Sequence, residues 1–400
     1  MQNFKRNVIL LSFCQALFMS ATSLIFASSA LIGYDLLADD KSLATLPIAL
    51  QFIGNMFTTI PASLLMGKVG RRWGFIIGSG IGIVGASLGV LAILDRSFLL
   101  FSFASALLGS FTAFAAYYRF AAVDTAPTNY KSKAISYVLA GGVIAAFIGP
   151  NLANWSKNWI TDATFAGSIA CVIILMLISI ILQSGLRIPT PKVDPLSTAG
   201  RPLLKIMSQP KFLVAMICGT LGYACMTFIM TATPLAMHAY AHSFPSTAFV
   251  IQWHVFAMFA PSFFTGYLIN RFGAPAIMLT GALLDLACIA VNFSGTSVIH
   301  FWTGLFLLGL GWNFLFVAAT SLLTETYSDA ERAKTQACND FILFASVAAA
   351  SLSAGSIQHA TDWQTVNLAA LPIVLTIIVT LLIQFTTSKN NNISVNVNTP

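Results

Sequence analysis

Apolar residues gather in twelve runs of roughly 20 residues, with short polar segments between them. As a helix rising about 1.5 Å per residue, a run of that length crosses the roughly 30 Å hydrocarbon layer of a bilayer. The runs fall at 8–33, 43–66, 75–94, 98–118, 134–153 and 163–183. They continue at 212–237, 246–266, 276–294, 298–321, 337–357 and 366–386. Between the sixth and seventh, the chain is polar and basic and carries Pro189, Pro191, Pro195, Pro202 and Pro210. That stretch reads as a linker. The pattern predicts an N-terminal six-helix half over 1–183, a linker over 184–211 and a C-terminal six-helix half over 212–387. An Asn-rich tail over 388–400 is expected to be disordered.

The two halves repeat each other. Gly67-Lys68-Val69-Gly70-Arg71-Arg72-Trp73-Gly74 follows the second run, and Gly266-Tyr267-Leu268-Ile269-Asn270-Arg271-Phe272-Gly273 follows the eighth. Asp124 follows the fourth run and Glu325 the tenth, each with a basic cluster soon after. The offset is about 200 residues in both cases. A duplicated set of spans is the signature of a carrier that works by moving one half against the other.

Composition and charge narrow the class. Hydrophobic residues make up 57% of the chain and charged residues 8%, against about 25% charged in soluble domains. The lipid bilayer is therefore the chain's principal partner. The net charge of +7 does not point to nucleic acid, because the basic residues sit in short inter-run loops with no patch or arm. With the N-terminus inside, the outer loops hold only Lys41, Arg96 and Lys157, and the remaining Lys and Arg lie in inner loops. This asymmetry predicts both termini on the cytoplasmic side of the membrane. Lys5-Arg6 before an apolar run also resembles a signal peptide, but the run from Val8 to Gly33 is too long for one. The six cysteines form no CxxC or Cys/His cluster, and no phosphate-binding loop, metal-ligand set or nucleophilic triad occurs. No enzyme, cofactor or metal is expected, and the protein reads as a monomer.

The six-plus-six pattern, the basic central loop and the Gly-led loop motif resemble the major facilitator superfamily across nearly the whole chain. The family's loop reads Gly-x-Leu-x-Asp-Arg-x-Gly-Arg-Arg. The second copy keeps Gly266, Leu268, Arg271 and Gly273 but has Asn270 at the Asp position. The first keeps Gly67, Arg72 and Gly74 but has Arg71 there. The resemblance implies an all-α membrane protein of twelve helices in two pseudo-symmetric six-helix bundles. It implies alternating access, with spans 1, 4, 7 and 10 around a central cavity. Gly149-Pro150 in span 5 is similar to a motif of antiporter branches and favours efflux. The Arg usual early in span 4 of drug–proton antiporters is replaced by Ser105, which leaves uptake of a siderophore, vitamin or other metabolite open.

Polar side chains on membrane helices belong inside the bundle, so helical spacing picks out cavity faces. Span 1 offers Gln15 and Thr22; span 4 offers Ser105, Thr112 and Arg119; span 7 offers Tyr223 and Thr227; span 10 offers Trp312 and Asn313. These are the expected solute contacts, with Phe18, Phe26 and Phe316 as apolar walls. Asp285 lies in mid-span, with His254 as a possible partner and Asp340 as a second carboxylate. They are the candidates for proton coupling. Arg71 or Arg72 in one half, and Arg271 in the other, are natural partners for Asp124 and Glu325 across the cytoplasmic face, in pairs that would close the inner gate. A carrier of a small organic solute is the expectation. A transporter-like receptor that binds without exchange is the rival of another class, and a channel is disfavoured because no filter or charge ring is visible.

Overall fold

The computed structural model describes residues 2–124, 126–127, 131–188, 200–328 and 331–397. In hydrocarbon every backbone N–H and C=O must find a partner within its own segment, and the chain answers with helices throughout. Before the linker come α1 (Gln2–Leu36), α2 (Leu46–Val69), α3 (Arg71–Leu94), α4 (Phe98–Ala115), α5 (Tyr118–Asp124), α6 (Lys131–Ser156) and α7 (Ala166–Ser184). After it come α8 (Leu203–Met207), α9 (Pro210–Ala239), α10 (Phe244–Phe259), α11 (Ser262–Phe272), α12 (Ala274–Ser294), α13 (Val298–Thr324), α14 (Arg332–Ala360) and α15 (Trp363–Val397). Among the described residues, ten helical segments are long and apolar enough to cross a bilayer, α4 running on into α5 as one of them. The pair α10 and α11, bent by 43°, makes an eleventh. The 26-residue α6 occupies the place of the fifth run and packs along α1.

Helix contacts repeat between the halves. The neighbours α1 with α6, α2 with α4, α3 with α4 and α3 with α7 recur as α9 with α14, α10 with α13, α12 with α13 and α12 with α15. The result is two pseudo-symmetric bundles, each with its own apolar core. Leu11, Phe75, Phe101 and Phe111 anchor the first, and Ile229, Phe301, Leu305 and Trp363 the second. The bundles meet where α2 packs on α14, α6 on α10 and α1 on α9. A mixed cluster of Ala30, Ile48 and Phe52 with Leu235, Leu343 and Val347 fills part of that junction.

Two features depart from expectation. The tail does not break after 387: α15 continues to Val397, since extending a formed helix needs no new nucleus. The loop motif also turns at different positions in its two copies. In the second half the joint is Gly273, the last motif residue, and in the first it is Gly70, one turn earlier. Both glycines hold φ of 84°, with ψ of 160° at Gly70 and 150° at Gly273, a region essentially closed to other residues. Gly70 lets α2 stop early, so Gly74 falls inside α3, hard against the Met66 side chain.

The end of the linker is clamped. Arg201 bonds Glu331 through its backbone N–H, Nε and Nη2 at 2.7, 2.9 and 2.8 Å. The guanidinium and the Ser328 N–H hold the Glu331 carboxyl well below the usual carboxylate range.

Replacing Gly70 or Gly273 with Ala is expected to cost about 1–3 kcal/mol of stability. The same change at Gly67 or Gly266, where an added Cβ meets open space, should shift the melting temperature little. Thermal unfolding of the four variants in detergent checks the contrast.

A candidate solute pathway between the two bundles

Exposure rises steadily along the polar faces toward one end of the molecule. On the fourth span Ser105 is buried, Thr112 is half-buried, and Ala116 and Arg119 are exposed. On α13 Trp312 is buried, Phe316 half-buried and Thr320 exposed. Both series run toward the face that carries Arg71, Arg201 and Lys211, which we term the basic face. Asp340 on α14 is half-buried there and interacts electrostatically with Arg119 across the two bundles. The faces therefore line a vestibule open at the basic end.

The vestibule narrows onto rings. Trp312 and Phe316 stack at 5.1 Å with their planes 8° apart. Tyr223 meets both edge-on, at 5.3 and 5.5 Å, and Phe259 approaches Trp312 at 6.1 Å. From the other bundle Phe26 stacks on Phe52 at 5.6 Å. The buried Trp312 Nε1 has no hydrogen-bond partner. The cluster is aromatic with few polar contacts.

At the far end the bundles are joined. Ser356 Oγ donates to the Ser42 carbonyl at 2.9 Å, and Thr45 Oγ1 to that of Leu352 at 3.3 Å. His359 Nε2 lies 3.8 Å from Asp40 Oδ1. Phe165 packs on Phe244 at 4.8 Å and Tyr34 on His238 at 5.5 Å. A cavity of about 380 Å³, lined by Tyr34, Lys41, Tyr240, His359 and Trp363, lies beside this seam. One end is open and the other sealed, the arrangement of a carrier caught facing one side.

The family model of the Major Facilitator Superfamily matches residues 8–251 and 215–396. This chain belongs to the major facilitator superfamily. It is 41% identical over 385 residues to the riboflavin transporter RfnT of Brucella anthropi, covering 95% of this chain and 96% of that protein. It is 30% identical over 384 residues to the MFS-type transporter YdeG of Bacillus subtilis, covering 91% and 88%. A crystal structure of a mutant nucleoside transporter NupG superposes with a TM-score of 0.69 over 95% of this chain and 100% of that one. At 13% identity that likeness concerns the fold.

Within this superfamily frame, the residues singled out from sequence separate into groups. Arg119 is exposed at the basic end, Tyr223 is half-buried, and Thr227 and Trp312 are buried. Gln15 is buried on α1. Thr22, Ser105 and Thr112 fold their hydroxyls back onto the carbonyls of Phe18, Phe101 and Leu108 in their own helices. Phe18 belongs to the core of the first bundle, edge-on to Phe111 and Tyr118.

Asn313 is a correction. It is fully buried and staples the broken eighth span: its Nδ2 donates to the Met258 carbonyl and Ser262 Oγ, both at 2.7 Å, and its Oδ1 accepts from Thr265 at 2.6 Å. Pro261 cannot donate to the helix ladder, and Asn313 supplies bonds at that break.

Asp285 and His254 do not meet. Asp285 packs on Gly311 and His254 on Gly309 of α13, two positions that point to roughly opposite sides of a helix. The His254 ring bonds the Leu305 carbonyl at 2.7 Å. Both side chains are fully buried away from the vestibule.

The gate charges pair within bundles. Arg71 Nε bonds Asp124 at 3.0 Å, while Arg72 lies over Trp73. Glu325 bonds Lys211 at 2.9 Å, and Arg271 bonds the Tyr267 hydroxyl instead. The expected pairing across the two halves is replaced because Arg71 reaches Asp124 within its own bundle and Lys211, at the start of α9, reaches Glu325. A buried network was missed by sequence: Gln183 gathers Ser79, Tyr118 and Ser179 at 2.8–2.9 Å. Its members come from three helices with no common spacing to betray them.

Replacing Asn313 with Leu removes the donors to the Met258 carbonyl and Ser262 Oγ. A loss of about 2–4 kcal/mol is expected, read as a lower melting temperature.

Proposed function

We propose that the protein carries riboflavin into a bacterial cell across the inner membrane, with both termini and the open vestibule on the cytoplasmic side. The aromatic apex supports this most directly. Riboflavin joins a flat tricyclic isoalloxazine to a ribityl chain, and stacked Trp312 and Phe316, with Tyr223 and Phe259 edge-on, suit such a ring system. The similarity to RfnT, over nearly the full length of both chains, points the same way.

The efflux reading rested on Gly149-Pro150. Gly149 has a packing role, because a Cβ there would meet the Ser20 carbonyl of α1 at 2.6 Å. That role applies whichever way solute moves.

Proton coupling, if uptake is driven by it, belongs at Asp340. Of the three candidates it alone is solvent-accessible, and it faces Arg119 across the bundles. Protonating Asp340 weakens that attraction and frees the halves to move. The positive-inside pattern of the loops supports the orientation, and one chain contains the whole pathway, so a monomer suffices.

Expression in a riboflavin auxotroph without an importer of its own tests the proposal. Growth on limiting riboflavin and uptake of labelled riboflavin are expected. Trp312→Ala should cut uptake about tenfold, the effect of losing one ring stack, and Trp312→Phe should retain most of it. Asp340→Asn should flatten the pH dependence, and Asp285→Asn should leave it intact. A membrane-inserted protein that takes up no riboflavin contradicts the proposal.

A further inference from the structure

Hydroxyls on membrane helices usually turn back to the carbonyl four residues earlier, which hides them from apolar surroundings. Several threonines here obey: Thr112 bonds Leu108, Thr233 bonds Ile229 and Thr280 bonds Ala276. Three on α9 do not. The Oγ1 atoms of Thr220, Thr227 and Thr231 are buried and have no partner, although these residues are only 6%, 0% and 2% exposed. A buried hydroxyl left unpaired costs about 1–3 kcal/mol, so three in one helix require a reason.

Their spacing supplies one. Thr220, Tyr223, Thr227 and Thr231 recur at intervals of three or four and share one face of α9. Tyr223 and Leu235 bracket Thr227 and Thr231 on that face, and both pack into the cluster that joins the two bundles. Tyr223 also touches the stacked pair Trp312 and Phe316. The hydroxyl row therefore starts beside the ring site and runs along the junction. Pro234, one turn beyond Met230, cannot donate to the Met230 carbonyl, which adds an acceptor near Thr231.

We infer that this row is the specificity element for a polyhydroxylated chain attached to a flat ring: Thr220, Thr227 and Thr231 of α9 exchange hydrogen bonds with the ribityl hydroxyls while the aromatic apex holds the tricycle. The inference rests on the riboflavin reading and assigns which part of the site reads which part of the solute. Apolar helix packing supplies no competing partner, so a chain of alcohols satisfies groups that are otherwise stranded.

Lumiflavin separates the two halves of the recognition, because it keeps the tricycle and carries a methyl group in place of the ribityl chain. Binding of riboflavin and of lumiflavin to the purified protein is followed by quenching of flavin fluorescence. The wild type should prefer riboflavin. The double change Thr227→Val and Thr231→Val preserves shape and removes both hydroxyls. It should weaken riboflavin about tenfold or more and leave lumiflavin within about twofold. Thr227→Ser with Thr231→Ser restores the hydroxyls and should restore riboflavin binding. Equal weakening of both flavins, or undiminished riboflavin binding in the valine variant, overturns the assignment while the riboflavin reading stands. A folded wild type that binds neither flavin overturns both.

Discussion

Hydrocarbon offers the backbone no hydrogen bonds, and nearly everything in this molecule follows from that. Each segment must close its own ladder, so each is a helix. Polar side chains are then confined to helix faces that look inward, fold onto their own backbone, or meet one another. The chain uses all three solutions. Ser105 and Thr112 fold back, Gln183 gathers three hydroxyls, and Asn313 mends the break at Pro261. Among the described residues, the buried polar atoms left without a partner include Trp312 Nε1 and the hydroxyl row of α9, alongside others such as Ser23, Ser102 and Asp285.

The seam at the sealed end is thin. Among the described residues, three hydrogen bonds, one of them Asn151 to Gln252, a stretched His359–Asp40 contact and a few ring contacts join the bundles there. Neutral hydrogen bonds contribute about 1 kcal/mol each and exposed ion pairs less. A closure worth a few kcal/mol can be exchanged for an equivalent one at the other end, as a carrier requires. On the basic face, by contrast, Arg71–Asp124 and Lys211–Glu325 hold each bundle together and leave the gap between bundles free. The electrostatic attraction of Arg119 for Asp340 crosses it.

Much of this was legible in the sequence. Run length gave the helices, and the repeat of loop motif and carboxylate gave the pseudo-symmetry. Helical spacing grouped Thr220, Tyr223, Thr227 and Thr231 on one face of α9. Spacing could not tell a hydroxyl that turns back, such as Thr112, from one that does not, such as Thr227, because that depends on a single side-chain rotation. Nor could it show that Asn313 serves Pro261, since the two are brought together only when α13 packs on α10 and α11. Asp285 and His254 looked like partners because both are rare in spans; α13 stands between them. The early joint at Gly70 escaped notice because two glycines compete for one turn.

Counterflow in proteoliposomes reaches the central claim directly, that two bundles rock about an aromatic and hydroxyl-lined pocket to carry a flavin. Vesicles loaded with unlabelled riboflavin and diluted into a trace of labelled riboflavin should accumulate label transiently above equilibrium, and Trp312→Ala should slow the overshoot about tenfold. Label that binds the protein but never exceeds the equilibrium level would mean a receptor, and would contradict the account.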